Sequence, residues 1–386
     1  MKISDYVESQ IKGLWGTDFD ENGISVIKTN NLTYEGHIDY SDICKRNITE
    51  EQAKGWYLKP GDLLIEKSGG TKTHSVGYVS YFEGEEDKFV CNNFILALRP
   101  KNTINSKFLF YQIQFKYESN QFSDCFNKTT GIQNLKVKDY LAKEIKIYSP
   151  EKQEKIVKEL DTVRSIINKN KQILKKYDTL IKSRFIEMFG ENPVESGKWK
   201  VEKFKNICLL ITDGEHTTPQ RCTQGIYLLS ARNVLNHKLQ LDNVDYIDES
   251  EYQRIAKRIV PQENDILLSC SGSVGRVCVV PKGLKFQLVR SVALLRLKKD
   301  VNPIFMEHLI TSDHIQTQIE KSKTQSSQAN LFQGKIAELI GFLPPLYLQN
   351  DFAAFVQQVD KSKFVVQKSL EKAETLYKSL MQEYFN

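Results

Sequence analysis

Asp62, Glu66 and Lys67 stand where a metal-dependent nuclease could keep an acidic pair for Mg2+ and a lysine that steadies the attacking water. The pattern is incomplete. No second carboxylate follows at the usual Glu-x-Lys spacing, and a later copy of the same stretch carries Ser269-Cys270 in place of Glu66-Lys67. Asp62 and its counterpart Asp265 therefore read as turn residues that start strands. Methyl transfer to an adenine amine would need an Asn/Asp-Pro-Pro-aromatic loop and a glycine-rich loop for S-adenosylmethionine. Asn192-Pro193-Val194-Glu195 is not that loop, Leu343-Pro344-Pro345-Leu346 lacks the amide and the aromatic, and Ser271-Gly272-Ser273-Val274-Gly275 is too short of glycine for a nucleotide site. Gly334-Lys335 is followed by Ile336, so there is no P-loop. The 6 histidines contain no HxH or HExxH pair and the 7 cysteines no CxxC pair, so neither a metal site nor a disulfide framework is expected, and the thiols read as buried and free. What remains is a set of polar turn residues, suited to binding rather than to catalysis.

Those turns lie between elements that occur twice. Asn134-Leu135 recur as Asn330-Leu331, Gln153 as Gln349, Thr179-Leu180 as Thr375-Leu376, Lys182-Ser183 as Lys378-Ser379, Glu187 as Glu383 and Phe189 as Phe385, all at one fixed spacing. Upstream the repeat continues with gaps. Asp62-Leu63-Leu64-Ile65 and Ser68-Gly69-Gly70 answer Asp265-Ile266-Leu267-Leu268 and Ser271-Gly272-Ser273, and Leu98-Arg99 with Asn105 and Phe108 answers Leu295-Arg296 with Asn302 and Phe305. A spacing that drifts between strands and holds along the helices indicates loop insertions in two diverged sheet domains on a common frame.

At 386 residues the chain suits two domains of about 150 residues with connecting elements. With 40% hydrophobic residues and no apolar run near the roughly 20 residues that cross a bilayer, it is expected to be soluble, and Met1 to Glu8 show no signal-peptide core, so a cytoplasmic protein is expected. A net charge of +6 gives a weak lean toward polyanions. Short apolar runs predict strands at Ser25-Val26-Ile27, Asp62 to Ile65, Gly77 to Phe82 and Phe94 to Leu98, with a helix over Phe108 to Gln114. The order returns at Ile226 to Leu229, Ile266 to Leu268, Arg276 to Val280, Val292 to Leu297 and a helix over Phe305 to Ile310.

Two long helices follow the two domains. Ile156, Leu160, Val163, Ile167, Asn170, Leu174, Tyr177, Ile181 and Met188 form one apolar seam; Phe352, Val356, Val359, Lys363, Val366, Leu370, Ala373, Tyr377 and Tyr384 form the other. A helix of about 39 residues is about 58 Å long. The fold class expected is mixed α/β: two sheet-containing domains (1–145 and 191–341) joined by two antiparallel coiled-coil helices (146–190 and 342–386), related by an internal pseudo-twofold. Asn170 and Lys363 interrupt the seams, which reads as register control or a partly exposed face, or else as a contact to another subunit.

The duplicated architecture, the Arg184-Phe185-Ile186-Glu187-Met188-Phe189-Gly190 ending and the Asp213-Gly214-Glu215-His216-Thr217-Thr218-Pro219 turn resemble specificity (S) subunits of type I restriction-modification systems, over essentially the whole chain. The resemblance implies a non-catalytic reader of double-stranded DNA. Each domain would be a target-recognition domain for one half of a bipartite, asymmetric site, and the helices would set the gap and dock two adenine-N6 methyltransferase (M) subunits. An ATP-dependent restriction (R) subunit could join them; S-adenosylmethionine, ATP and Mg would belong to these partners, and the chain itself would need no cofactor. Two readers about 10 base pairs apart need a spacer of roughly 34 Å, within reach of such helices. The alternative is an orphan or regulatory, antirestriction protein of the same architecture that assembles partners without reading DNA.

Polar turn residues are the expected DNA contacts. In the first domain these are Trp15, Thr17, Lys28, Asn30, Asn31, Lys67, Lys72, His74, Lys128, Thr129 and Gln133; in the second they are His216, Thr217, Thr218, Arg232, Asn233, Ser271, Ser273, Arg276, Lys323, Gln325 and Gln328. In the first domain Lys12-Gly13-Leu14-Trp15-Gly16-Thr17-Asp18 occupies the place of the histidine-containing turn, so the two halves are expected to read different bases.

Overall fold

The computed structural model describes residues 1–71, 73–128, 132–191, 193–323 and 329–386, with only the backbone of Lys128. Lys72, Thr129, Gln325, Gln328, Asn192 and the Lys128 side chain lie outside the described residues. The chain divides into two compact units, Met1–Lys171 with Lys368–Asn386, and Gln172–Gln367. Each of the long helices, Pro150–Phe189 and Leu346–Phe385, is therefore shared between the units.

In the first unit Leu63–Glu66 and Ile95–Pro100 are neighbours in a four-stranded antiparallel sheet, flanked by Val79–Tyr81 and Val7–Ile11. Leu63, Leu64, Ile65 and Ile95 to Leu98 are buried without alternation, the pattern of strands covered on both faces. A three-stranded sheet places Phe19–Ile27 between antiparallel Cys44–Arg46 and parallel Phe89–Cys91. The second unit repeats both sheets. Cys208–Asp213, Val292–Leu297, Ile266–Ser269 and Val277–Val279 form the first; Asp245–Ile247, Ile226–Leu229 and Phe286–Leu288 form the second, again with one antiparallel and one parallel pairing.

The repeat extends to single hydrogen bonds. Asn105 caps the helix Ser106–Glu118 by accepting from the backbone of Lys107 and Phe108, and Asn302 caps Pro303–Thr311 through Ile304 and Phe305. The cap's own N–H donates to Gln153 Oε1 at 3.0 Å in one unit and to Gln349 Oε1 at 2.9 Å in the other. Phe108 meets Phe385 with ring centroids 5.6 Å apart, and Phe305 meets Phe189 at 5.1 Å. Burying each such ring contributes roughly 1.5–3 kcal/mol, which anchors each sheet domain to its half of the helix pair.

Asp62 and Asp265 are more than turn residues. Each is buried and accepts two hydrogen bonds from an arginine, Arg99 or Arg296, at 2.9 and 2.7 Å, while one oxygen also caps a backbone N–H, of Lys59 or Gln262, at 2.8 Å. Neither carboxylate is left over for a cation, and the Asp62/Glu66 pair suggested by the sequence is not a metal site.

Within each unit the helix halves run antiparallel. In the first unit Ile156 and Leu160 share a core with Met381 and Phe385, and Asn170 Nδ2 donates to Ser369 Oγ at 3.1 Å. In the second unit Lys363 pairs with Asp178 at 2.7 Å, and Phe185 packs on Phe352. The two polar residues of the seams thus have partners in the opposite helix. Toward the C-terminal ends the buried stripe moves from the expected positions: Phe185 and Phe189 are buried while Met188 is half-buried, and Met381 and Phe385 are buried while Tyr384 is half-buried. An extra step of four in place of three advances the stripe around the helix and offsets the backward drift of about 20° per heptad that a straight helix accumulates.

Five cysteines are buried as free thiols, Cys44 is half-exposed and Cys222 is exposed. Among the described residues no helix is long and apolar enough to cross a membrane.

Candidate nucleic-acid interface

In the second unit the strand Cys208–Asp213 runs into the turn Gly214-Glu215-His216-Thr217. Only glycine fits at 214, because a Cβ there would lie 2.4 Å from Leu288 O, and the next N–H, of Glu215, donates to that carbonyl at 2.7 Å. Asp213 accepts from His216 Nε2 at 2.9 Å and Arg258 at 2.7 Å. Burial pushes the Asp213 carboxyl up, but His216 and Arg258 outweigh it and hold it below the usual range. Glu215 Oε1 accepts from Thr217 N at 2.9 Å, so the turn is tied from within and presents His216, Thr217 and Thr218 as exposed groups.

A serine loop faces this turn. Ser269 Oγ donates to Ser273 O at 2.6 Å and accepts from Arg276 N at 2.9 Å, folding residues 270 to 275 into a compact loop. Ser271 Oγ donates to Asn330 Oδ1 at 2.5 Å. Asp213, His216, Ser271, Arg290, Asn330 and Phe332 line an open cleft of about 460 Å³. Among the described residues the exposed Arg290 guanidinium has no hydrogen bond or ion pair, and Phe332 is 62% exposed. A guanidinium and an exposed ring lining one cleft are a constellation suited to nucleotides, through paired N–H donors and stacking. Arg290 and Phe332 were missed in the sequence, although Arg290 occupies the turn before the predicted strand at Val292, the kind of place where the other candidates were sought.

The remaining candidates of this unit have varied positions. Arg232 pairs with Asp245 at 2.8 Å, and its turn is held to the cleft by Ala231 N donating to Ser291 Oγ at 3.0 Å. Ser273 is exposed, Arg276 is half-buried, and Lys323 forms an ion pair with Glu320 on its own helix. Asn233 is a correction. It is 1% exposed, accepts from Ser230 N at 2.9 Å and donates to Gln240 O and Asn243 O at 3.0 and 3.1 Å, so it clasps its own loop and offers nothing to a groove.

Asn31 is corrected for the same reason: 3% exposed, it accepts from Lys28 N at 2.8 Å and donates to Asp39 O and Asp42 O at 3.0 and 3.1 Å. The first unit otherwise presents different chemistry on the same frame. Gly13 takes the place of Gly214, with a Cβ there only 2.0 Å from Asn92 O and Leu14 N donating to Cys91 O at 2.7 Å. Trp15 then stands where His216 stands in the repeat. Arg46, missed in the sequence, lies 4.4 Å over the Trp15 ring and donates to Trp15 O and Thr17 O, fixing that turn and leaving the Thr17 side chain exposed. Lys28 pairs with Asp42 at 2.9 Å, Asn30 is exposed and Lys67 is half-buried. Ser68 Oγ donates to Asn134 Oδ1 at 2.8 Å, the counterpart of Ser271 and Asn330. His74 is exposed and stacks on Tyr34 at 3.7 Å, while Gln133 Oε1 accepts from Val76 N at 3.2 Å and holds that loop down. Glu66 replaces Ser269 beneath this loop. Among the described residues its Oε2 is buried without a partner, and burial raises its carboxyl, offset in part by Gly70 N–H.

A duplicated frame of buried clasps, carrying turns that differ in exposed polar groups, defines a two-headed binding protein. The type I restriction modification DNA specificity domain matches residues 4–176 and again 197–374, and the chain belongs to that family of specificity subunits. Among solved structures, the type I restriction-modification S subunit from M. genitalium matches with a TM-score of 0.63 and 14% identity, covering 100% of this chain and 95% of that one. A chain from a structure on complex assembly and conformational transition of the type I R-M system matches with a TM-score of 0.54 and 15% identity, covering 100% and 96%. At these identities the likeness concerns the fold.

Proposed function

We propose that this chain is the non-catalytic DNA-reading subunit of a type I adenine-N6 methyltransferase complex, with each unit reading one half of a bipartite, asymmetric target. The observation that carries this reading is the contrast between frame and turn. The Asp62–Arg99 and Asp265–Arg296 clasps, the Asn caps with Gln153 and Gln349, and the Asn31 and Asn233 loop clasps match bond for bond. Trp15 against His216 and Glu66 against Ser269 differ at equivalent addresses within that frame. Conserved scaffolding under altered polar turns is what two readers of different base sequences require, since base edges differ only in donors, acceptors and methyl groups.

The groups assigned to DNA are the exposed Thr17, Asn30 and His74 with the half-buried Trp15 in the first unit, and the exposed His216, Thr217, Thr218 and Arg290 with the half-buried Ser271 and Arg276 in the second. Lys28, Arg232 and Lys323 have acidic partners within reach of solvent and are assigned to phosphates, which can displace such carboxylates. The helices hold the readers apart and dock two M subunits, which supply S-adenosylmethionine; ATP and Mg2+ belong to an R subunit where one joins. The test is single-molecule mapping of N6-methyladenine in a host carrying this gene with its methyltransferase, against deletion of this gene alone. Loss of a split asymmetric motif is expected. Unchanged methylation would overturn the reading.

A further inference from the structure

The second unit holds a histidine–carboxylate cluster away from its candidate DNA cleft. His237 forms the turn of the hairpin Val234–Leu235 and Lys238–Leu239. Its φ of 62° is in the left-handed region, uncommon for a side chain of this size, and the turn is pinned by His237 N donating to Val277 O at 2.9 Å and Asn236 Oδ1 accepting from Val277 N at 3.2 Å. Glu307 and His308 come from the helix Pro303–Thr311. Glu307 is 6% exposed; its Oε1 accepts from Val279 N at 3.1 Å and its Oε2 lies 3.1 Å from His237 Nδ1. The His308 ring stacks on His237 at 4.4 Å and meets Phe352 edge-on at 5.2 Å. One ligand atom from each of His237, Glu307 and His308 lies within 4.8 Å of the others.

We propose that His237, Glu307 and His308 bind a divalent transition-metal ion of the Zn2+, Co2+ or Ni2+ kind, which ties the hairpin to the helix. Two imidazole nitrogens and one carboxylate oxygen are a common three-ligand zinc set with the fourth place open to water, whereas Mg2+ and Ca2+ favour oxygen shells. The backbone N–H of Val279 orients the Glu307 carboxylate from behind, the usual support of a ligating group. Binding needs the His237 ring to rotate out of its stack, which a side chain on a surface turn, 39% exposed, can do. The ligands come from positions 237, 307 and 308, so no short-spaced motif announces them.

The experiment uses the full-length chain, stripped with chelator and titrated with Co2+, and requires neither DNA nor a partner. Visible d–d absorption without a near-ultraviolet thiolate band is expected, displaced by Zn2+. His237→Asn, chosen because asparagine tolerates a left-handed turn, is expected to weaken Co2+ binding at least about tenfold with an unchanged metal-free unfolding midpoint. Glu307→Gln is expected to weaken it likewise. No visible band in the wild type, a thiolate band that assigns the ion to a cysteine, or equal binding by His237→Asn would each overturn the site.

Discussion

Asp265 is 3% exposed and shares both oxygens with Arg296, so the pair is a buried clasp whose two halves depend on each other. Arg296→Met should strand a buried carboxylate and destabilise the chain by about 3–5 kcal/mol, and adding Asp265→Leu should recover much of that loss; urea unfolding of the three variants measures both. Glu66 has the opposite problem, a buried oxygen with no partner among the described residues. Because the folded state raises its pKa, the charged form is disfavoured there, the folded chain holds the proton longer, and stability falls as pH rises from about 4.3 through the raised value. Glu66→Gln should therefore unfold at higher temperature than the wild type at neutral pH, by on the order of 1 kcal/mol, with the gap closing below about pH 4. An unaltered gap across that range would mean burial is not the cause. Arg290 lines the cleft with no ion pair among the described residues, and arginine pairs best with guanine O6 and N7. Arg290→Ala should relax one base position in the half-site read by the second unit, a discrimination of about 1–3 kcal/mol, while the other half-site stays unchanged in methylation maps.

The long helices carry their own compromise. Asn170 is 9% exposed in an otherwise apolar seam and donates to Ser369, a residue of the opposite helix that is itself exposed. One polar pair of this kind fixes the alignment of two helices and lowers their stability relative to an apolar contact. Asn170→Leu should raise the unfolding midpoint, by about 1 kcal/mol, because Ser369 can turn to water. A fall in the midpoint would show that the amide contributes more than the added apolar contact. In the sheets, the turns after Gly13 and Gly214 are held at their bases by backbone hydrogen bonds, Leu14 N to Cys91 O and Glu215 N to Leu288 O, so their exposed residues can differ on the same support.

At the scale of the whole chain, the two units use the same sheets, caps and helix anchors, so a unit is replaceable where its clasps are retained. Exchanging residues 191–341 for the matching segment of another specificity subunit should change one half of the methylated motif and leave the other intact. Methylation mapping reads the result directly, and a motif altered in both halves would refute independent readers.

The repeat was legible in the sequence because it lies in one dimension: the shared spacing of Gln153 with Gln349 and Phe189 with Phe385, and the seams of the long helices, depend on period alone. The family and the binding character followed from that pattern. Which polar residues remain free for a ligand was decided by tertiary structure. Asn31 and Asn233 look like surface amides in the sequence, yet carbonyls up to eleven residues further along consume them. Arg290 is available because no acid among the described residues pairs with it, and His237 reaches Glu307 only when the hairpin turn packs against the helix. Spacing fixes which face of an element a side chain occupies; the donors and acceptors that face it come from distant segments, and only folding brings those together.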